Sequence, residues 1–334
     1  MGKNKKIIWF FNMKVFKNYL VTGGAGFIGS HLVDRLVKLK KNVKVIDNLS
    51  TGQLSNLKFS KGKIKFYKTD VSKDKNKLIR IFKNVDCVIH LAALADLVPS
   101  ITHPEKYFSS NVLGTFNVLQ AAKINSVKKL IYAGSASCYG LPKKFPTSEK
   151  EKIDTQYPYA TSKYLGEKLV LDWAKVYKMN NISLRFFNVY GPRSRTTGAY
   201  GAVFGVFLAQ KLSNIPLTIV GDGKQTRDFV HVDDLINAII LSTKKLKSGS
   251  ITNLGGGGEI SINHIAKLIS HKKVYIPKRP GEPDRSRADI SFAKKNLNWE
   301  PKISIEQGVK DLLKKIEQFK DAPVWTPKKN KKRN

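Results

Sequence analysis

Short apolar runs alternate with helically spaced apolar positions through much of the chain. The runs that predict strands are Val15–Thr22, Val43–Asp47, Ile64–Val71, Val85–Ala93, Lys129–Ser135 and Ser183–Pro192. Helical spacing predicts helices over Ser30–Leu39, Pro104–Lys123 and Tyr159–Tyr177. This alternation of strand and helix predicts an α/β fold with a doubly wound parallel sheet.

The pattern loosens after Pro192, where one helix is predicted over Val203–Leu212. The four-glycine run Gly255–Gly258 lacks a following Lys-Ser/Thr, so it indicates a tight connection and not a phosphate loop. We expect a sheet domain over 14–192, which 228–256 rejoins. Residues 193–320 are then mainly a smaller C-terminal substrate-binding lobe that closes over the sheet edge.

Both ends of the chain are expected to lie outside these two parts. The apolar run Ile7–Phe11 is shorter than the roughly 7–15 residues of a signal-peptide core, so 1–13 is predicted to be a dispensable extension or an upstream start. Residues 321–334 form a basic tail. No run approaches the ~18 apolar residues of a membrane span, so a membrane partner is not expected.

A glycine-rich turn follows the first predicted strand. Gly23, Gly26 and Gly29 allow a tight turn and a close backbone approach to a pyrophosphate, which the next helix N-terminus would bind. Asp47 ends the second strand at about the ~20-residue offset where an acid binds the adenosine ribose. Its charge favours NAD over NADP, because the 2′-phosphate of NADP would be repelled.

Tyr159 and Lys163 are four residues apart on a predicted helix and so share one face. The lysine charge favours the tyrosine phenolate, which can then take a proton from a sugar hydroxyl. His90 ends the fourth predicted strand and is assigned to packing.

The chain has a formal net charge of +35, which raises the question of a polyanionic partner. Its lysines are scattered, without a block of interleaved aromatics, so a nucleic-acid partner is not favoured. Two cysteines, Cys87 and Cys138, form neither a disulfide framework nor a metal cluster. They fit a reducing compartment, and we expect a cytoplasmic protein without a metal.

The motifs together resemble the extended short-chain dehydrogenase/reductases that act on nucleotide sugars, over roughly residues 14–315. They are Thr22–Gly29, Asp47–Gly52, His90–Ala93, Ser135–Gly140, the Tyr159/Lys163 pair and Arg279–Pro283. The resemblance is strongest to UDP-glucose and UDP-N-acetylglucosamine 4-epimerases. It implies a Rossmann-type fold with NAD as cofactor and a UDP-sugar as substrate.

The resemblance also assigns residues to the site. Ser135, Tyr159 and Lys163 are implied to be catalytic. NAD is implied to contact Tyr159, Lys163 and the following set: Gly23, Gly26, Phe27, Ile28, Gly29, Asp47, Asn48, Ser50, Thr51, Gly52, Asp70, Val71, Leu91, Ala92, Ala93, Asn111 and Phe186. The substrate is implied to contact Ser135 and a second set: Asn188, Ala202, Val203, Thr218, Val220, Arg227, Arg279, Glu282 and Ser286.

The segment after Ser135 separates the reactions of this family. In 4,6-dehydratases an Asp-Glu pair follows the catalytic Ser/Thr, and the sugar-acid decarboxylases commonly carry a Glu there. Ala136 and Ser137 stand at these positions, so the resemblance implies 4-epimerisation through a 4-keto sugar, with ketone reduction as the alternative. In that mechanism Ser135 relays or orients the proton taken by Tyr159.

Two departures leave the sugar open. Ser286 replaces a bulky gate residue, which suggests room for an N-acetyl group at C2. Arg193 and Arg195 are extra arginines that could meet an acidic sugar, so a uronic acid substrate stays possible. A basic RNA-binding protein on an inactive scaffold is a third reading, against which the intact Ser135, Tyr159 and Lys163 speak.

The resemblance further implies a homodimer that pairs the two helices predicted over Pro104–Lys123 and Tyr159–Tyr177. Like charges would repel across the contact, so we expect it to be apolar. Its candidate residues are Phe116, Leu119, Leu169 and Trp173.

Overall fold

A computed structural model describes residues 16–194, 203–278 and 283–320, together with Ala322 and Val324. The predicted extension 1–13 lies outside these residues, as does nearly all of the predicted tail 321–334. Among the residues described, no helix has the length and apolar character needed to cross a membrane.

The strands lie mostly at the positions of the predicted apolar runs in the first half of the chain, and are short in the second half. In chain order they are β1 Asn18–Thr22, β2 Asn42–Asp47, β3 Ile64–Lys68, β4 Cys87–His90, β5 Lys129–Ser135, β6 Asn181–Phe186, β7 Asn188–Tyr190, β8 Leu217–Val220, β9 Thr226–Arg227, β10 Phe229–His231, β11 Ile251–Leu254, β12 Ile260–Ser261 and β13 Lys273–Ile276.

The helices alternate with the strands up to β6. In chain order they are α1 Phe27–Lys38, α2 Lys75–Ile81, α3 Leu97–Thr102, α4 Pro104–Tyr107, α5 Gly114–Ile124, α6 Pro158–Val176, α7 Val203–Leu212, α8 Val232–Lys245, α9 Ile262–Ile269, α10 Ser291–Leu297 and α11 Ile305–Lys314. Short 3₁₀ segments span Leu54–Ser60, Ala136–Tyr139 and Ile316–Phe319. The helix predicted over Pro104–Lys123 contains a π-helical segment, Phe108–Leu113, between α4 and α5.

Seven strands form one parallel sheet in the order β11-β6-β5-β4-β1-β2-β3. The order reverses between β1 and β4, since the chain continues outward on one side through β2 and on the other through β5. This arrangement confirms the predicted doubly wound fold. In such sheets ligands bind where the order reverses, at the carboxyl ends of the strands.

Both faces of the sheet are covered by helices. Successive strand residues point to opposite faces, so Val21 and Ile131 pack in one core while Leu20 and Leu130 pack in the other. The first core includes residues of α1, α8 and α10, and the second includes residues of α2, α5 and α6. Near-continuous apolar strands are what burial on both faces requires.

The sixth predicted strand divides in two at Phe187. Residues up to Phe186 stay in the sheet, and the chain then leaves it, because the Asn188 N–H donates to the Asp228 carbonyl and β7 pairs with β10. A further parallel pair, β8 with β13, packs near α7, α9 and α11 around a third core that includes Phe204, Ile219 and Leu312. The sequence pattern did not predict these short strands.

One expected interface residue is buried. Leu119, on α5, is fully buried in the second core. It therefore cannot form the contact with a second chain that was predicted for it. The exposed apolar side chains along α5, α6 and the segments before them include Ile101, Phe108, Leu113, Ile124, Leu165 and Val176. Phe116 and Trp173 are partly buried against each other, with ring centroids 5.8 Å apart.

A buried ion pair joins α6 to β6. The Arg185 guanidinium donates to both carboxylate oxygens of Glu167 at 2.6 and 3.0 Å, and the two side chains are 3% and 2% exposed. Arg185 also donates to the Tyr139 hydroxyl, which donates to Asn253 of β11. The network therefore ties the turn after β5 to the far edge of the sheet.

We predict that Glu167→Ala lowers the free energy of unfolding by about 3–5 kcal/mol, because it leaves the Arg185 charge buried and uncompensated. Urea denaturation followed by circular dichroism measures the loss. The exposed Lys168–Asp172 pair on the same helix, 3.9 Å apart, supplies the control: Asp172→Ala is expected to cost no more than about 0.5 kcal/mol. Equal losses for the two variants would contradict the assignment.

Candidate active site

Two cavities meet at the carboxyl edge of the sheet. The larger, of about 1010 Å³, runs from the glycine-rich turn to the end of β5. The second, of about 630 Å³, continues toward α7, β8 and the segment after Pro283. Ser135, Tyr159, Phe186 and Asn188 line both cavities, so two of the three predicted catalytic residues lie at their junction, while Lys163 lines the larger cavity alone.

The glycine-rich turn brings β1 against the end of β4. Gly23 has φ +69°, and a Cβ atom on it would lie 2.7 Å from the Ala92 nitrogen. A Cβ on Gly29 would meet the Gly23 carbonyl oxygen. Gly26 precedes α1 without a side-chain cap, which leaves the helix N-terminus facing the cavity that Phe27 and Ile28 line. The local geometry therefore requires glycine at positions 23 and 29.

Asp47 lies at the far end of the larger cavity. Its carboxylate accepts hydrogen bonds from the backbone N–H groups of Ala25 and Leu49 at 2.9 and 2.8 Å. Burial raises the pKa of this carboxyl. The other cavity-lining residues of the predicted cofactor set are Asn48, Ser50, Thr51, Asp70, Val71, Leu91, Ala92 and Ala93.

Two members of the predicted cofactor set are not among the lining residues. Gly52 lies behind Asp47, where a Cβ atom would come within 2.8 Å of both carboxylate oxygens. Asn111 is buried, and its carboxamide holds the backbone N–H and carbonyl of Leu94 and the Ser162 hydroxyl. Both residues support the cavity wall instead of facing its interior.

These features fit a dinucleotide. The glycine cradle leaves space for a pyrophosphate at a helix N-terminus, and a buried acid stands where an adenosine ribose would bind. Tyr159 and Lys163 lie at the other end of the same cavity. A nicotinamide placed there would face the second cavity.

The catalytic candidates come together through α6 and the end of β5. Pro158 occupies the first turn of α6, where the missing N–H costs nothing. The Tyr159 hydroxyl donates to Ser135 Oγ at 3.3 Å, and Ser135 Oγ lies 2.8 Å from Ser137 Oγ. Lys163 is buried, with its ammonium 4.3 Å from the centre of the Tyr132 ring.

The electrostatics differ from the sequence expectation. Burial raises the pKa of Tyr159, although the hydrogen bonds with Ser135 and Ser137 oppose it, and burial lowers the pKa of Lys163 to about 7. Lys163 alone therefore does not hold the pKa of Tyr159 down, because both groups share a desolvated site. Further positive charge in the cavity is needed to stabilise a phenolate.

His90 is a packing residue, as predicted. Its ring lies between the hydroxyls of Thr22 and Thr115 at 2.6 and 3.0 Å, outside the lining of both cavities. Burial lowers its pKa to about 3, so the ring is neutral and cannot act as an acid at physiological pH.

The second cavity is lined by most of the predicted substrate residues. Besides Ser135 these are Asn188, Val203, Thr218, Val220, Arg227 and Ser286. Ala202, Arg279 and Glu282 lie outside the described residues. The Arg227 guanidinium donates to the carbonyls of Thr226 and Pro283 at 2.9 and 2.8 Å, which fixes it at the cavity wall.

Sequence reasoning missed several lining residues. Asp96 faces the larger cavity and Arg285 the second, where Arg285 forms a two-point ion pair with Glu259. Arg285 could have been found from the sequence, because it is next to Ser286 in a charged loop. No spacing or motif marked Asp96, which lies in the irregular segment between β4 and α3.

Arg193 does not meet the substrate cavities. Its guanidinium pairs with Asp34 of α1 at 2.8 Å, and neither cavity is lined by it. Its backbone N–H is held by Gln318. The expectation that Arg193 meets an acidic sugar is therefore wrong, while Arg195 lies outside the described residues.

We predict that Gly52→Ala weakens NAD binding about tenfold, because the added methyl displaces the Asp47 carboxylate from the ribose position. Fluorescence titration of cofactor-depleted protein measures this affinity. Gly258→Ala is the matched control, since its Cβ would meet no atom within 4 Å. Equal NAD affinity in the two variants would contradict the role given to Gly52.

Comparison with known proteins agrees with the site. A putative UDP-glucose 4-epimerase of Methanocaldococcus jannaschii is 37% identical over 302 residues, covering 88% of this chain and 96% of that protein. A UDP-glucuronate 4-epimerase of Thermodesulfobacterium geofontis is 38% identical over 310 residues, covering 87% and 94%.

A solved structure shares the fold. The UDP-N-acetylglucosamine 4-epimerase of Methanobrevibacter ruminantium M1, in complex with UDP-N-acetylmuramic acid, superposes with a TM-score of 0.84 at 34% identity, over 90% of this chain and 99% of that one. Residues 19–255 match the model of one protein family. The chain therefore belongs to the NAD dependent epimerase/dehydratase family, as its motifs predicted.

Proposed function

We propose that this enzyme interconverts UDP-hexoses at C4, through a transient 4-keto sugar, with NAD retained between turnovers. The observation that carries the proposal is the junction of the two cavities, where Ser135 and Tyr159 face both. No acid follows Ser135 on the turn, because Ala136 and Ser137 occupy those positions. Water elimination and decarboxylation thus lack the side chains with which relatives perform them.

Tyr159 is proposed as the base that takes the proton of the sugar 4-hydroxyl, and later returns it. Ser135 holds Tyr159 in place, and the Lys163 ammonium binds the nicotinamide ribose. NAD, when bound, supplies the hydride acceptor and, at the Tyr159 end of the cavity, the positive charge that favours a phenolate. Burial of these residues excludes water, so that the bound reactants keep their relative orientation.

The nucleotide is proposed to lie in the second cavity, anchored while the sugar turns. Asn188 and Arg227 would bind the diphosphate, while Val203, Thr218 and Val220 would flank the uracil. Ala202, Arg279 and Glu282, which lie outside the described residues, are proposed to complete the nucleotide site. We retain the division into a sheet domain over 14–192, rejoined by 228–256, and a lobe over 193–320.

A UDP-uronic acid is the alternative substrate, and the glucuronate-converting relative of Thermodesulfobacterium geofontis favours it. With Arg193 held by Asp34, the support from the arginine-rich loop is reduced. Nucleotide-sugar reduction would require NAD to exchange at each turnover, so NAD retained through purification would argue against it.

We also propose a cytoplasmic homodimer. The exposed side chains of Leu113, Leu165 and Val176 on and beside α5 and α6 supply an apolar face for it, with Phe116 and Trp173 at its edge. Leu169 and Trp173 are both partly buried against the second core, and we propose that their exposed parts contribute to the same face.

The function is tested by incubating the purified protein, without added cofactor, with UDP-glucose, UDP-N-acetylglucosamine or UDP-glucuronic acid. We expect NMR to show conversion of a UDP-hexose to its C4 epimer. Tyr159→Phe should lower kcat at least about 100-fold, within the range that general base catalysis contributes. Conversion of UDP-glucuronic acid alone would support the alternative, and no conversion of any of the three would contradict 4-epimerisation.

Ser286 is proposed to leave room for an N-acetyl group at C2. Ser286→Tyr should therefore lower kcat/KM for UDP-N-acetylglucosamine at least about tenfold while sparing UDP-glucose, since added bulk in a packed site costs about 1–3 kcal/mol. Coupled kinetic assays with both substrates measure the ratio. Ser291→Tyr, at an exposed position of α10, controls for the substitution itself. Equal losses on both substrates would count against this role.

A further inference from the structure

The hydroxyl of Ser137 lies next to the catalytic pair Ser135 and Tyr159. Ser137 lies one turn beyond β5, on the 3₁₀ segment that begins at Ala136, and lines the substrate cavity. Its Oγ is 2.8 Å from Ser135 Oγ, and its backbone N–H donates to the same oxygen at 3.2 Å. Ser137 thus contacts Ser135 twice.

The hydrogen-bond capacity of Ser135 determines what its proton can do. A serine hydroxyl donates one hydrogen bond and accepts two. When Tyr159 is a neutral phenol, Ser135 accepts from the Tyr159 hydroxyl and from the Ser137 N–H. The Ser135 proton then points to Ser137 Oγ, and all three positions on Ser135 are used.

The hydrogen-bond capacity of Ser135 is also filled when Tyr159 is ionised. The Ser135 hydroxyl rotates to donate to the phenolate, and the Ser137 hydroxyl rotates to donate to Ser135. Ser135 still accepts from the Ser137 N–H, so its capacity is again full. Only two O–H bonds rotate between the states, and no proton crosses between the serines.

We propose that Ser137 is a positioning residue that commits Ser135 to orienting Tyr159, so that the sugar 4-hydroxyl gives its proton directly to Tyr159. This inference rests on the proposed 4-epimerisation. With both lone pairs of Ser135 taken by Ser137 in the ionised state, Ser135 has no acceptor site for the sugar proton. The O4–H bond therefore breaks toward the phenolate oxygen, and the C4 hydrogen leaves as hydride to NAD.

Several other titratable groups surround Tyr159. They are Lys163 one turn along α6, Asp96 before α3, Cys138 on the 3₁₀ segment, Tyr107 of α4 and Tyr132 of β5. Asp96 and Cys138 oppose the phenolate, while the Ser135 hydroxyl bonded to Tyr159 and the Ser137 hydroxyl next to Ser135 favour it. Removing the Ser137 hydroxyl should therefore shift the ionisation of Tyr159 to higher pH.

The test compares Ser137→Ala with Ser137→Thr, which keeps the hydroxyl, and with Ser148→Ala, a serine outside the lining of both cavities. Each NAD-bound variant is assayed on the substrate that the wild-type protein turns over. We expect Ser137→Ala to lower kcat about tenfold near neutral pH and to move the acid limb of the kcat profile to higher pH, with KM unchanged. Ser137→Thr should restore both, and Ser148→Ala should match wild type.

Two further measurements separate this proposal from the proposed function. Ultraviolet difference titration of the phenolate, assigned by subtracting Tyr159→Phe, should show a higher pKa for Tyr159 in Ser137→Ala, whether or not turnover is detected. In a Ser135→Ala background, Ser137→Ala should have no further effect on kcat. Unshifted titrations, additive losses or a KM effect alone would overturn the role of Ser137. An inactive wild type with the expected titration shift would overturn the proposed 4-epimerisation and its sugar proton step, while the effect of Ser137 on Tyr159 would stand.

Discussion

The close approach of Gly23 to Ala92 is the contact on which the rest of the site depends. It occurs where the strand order of the sheet reverses, between the ends of β1 and β4. A side chain at Gly23 would fill the gap between the two strand ends. Because both strands stop there, α1 and the segment before α3 diverge and leave the larger cavity between them.

The position of the chemistry follows from the next strands along. β5 ends at Ser135, directly beside Phe186 at the end of β6, and α6 returns across both so that Tyr159 reaches the same edge. The buried Arg185–Glu167 pair holds α6 to β6 and, through Tyr139, fixes the turn that carries Ser137. The sheet thus places both cavities beside Ser135 and Tyr159.

Much of this arrangement could be predicted from the sequence, for a physical reason. Strands β1, β2, β4 and β5 are largely buried, so each is a recognisable apolar run, and glycine at positions 23 and 29 is dictated by close backbone contacts. The short strands after Phe187 are specified by long-range pairing, such as Asn188 with Asp228, which leaves no periodic pattern. The predictions for Leu119 and Arg193 were wrong for a similar reason. Tertiary packing determines which face of α5 is buried, and it also brings Asp34 next to Arg193.

The electrostatics of the site lie beyond sequence patterns altogether. The spacing of Tyr159 and Lys163 indicates their proximity, but the desolvation that raises one pKa and lowers the other depends on how completely α6 is covered. Asn111 and Gly52 are likewise residue types that suit a cofactor site. In the structure they support the wall of the larger cavity, Asn111 by bonding Leu94 and Gly52 by lying against Asp47.

The central proposal is that Ser135, Tyr159 and Lys163 hold the sugar C4 beside a retained NAD, which would accept the C4 hydride and return it, in a site shielded from water. The direct measurement is turnover of UDP-hexose deuterated at C4, in unlabelled water and without added cofactor. Retention of deuterium at C4 of the product, by NMR, is the predicted result. Loss of the label to solvent would contradict the account.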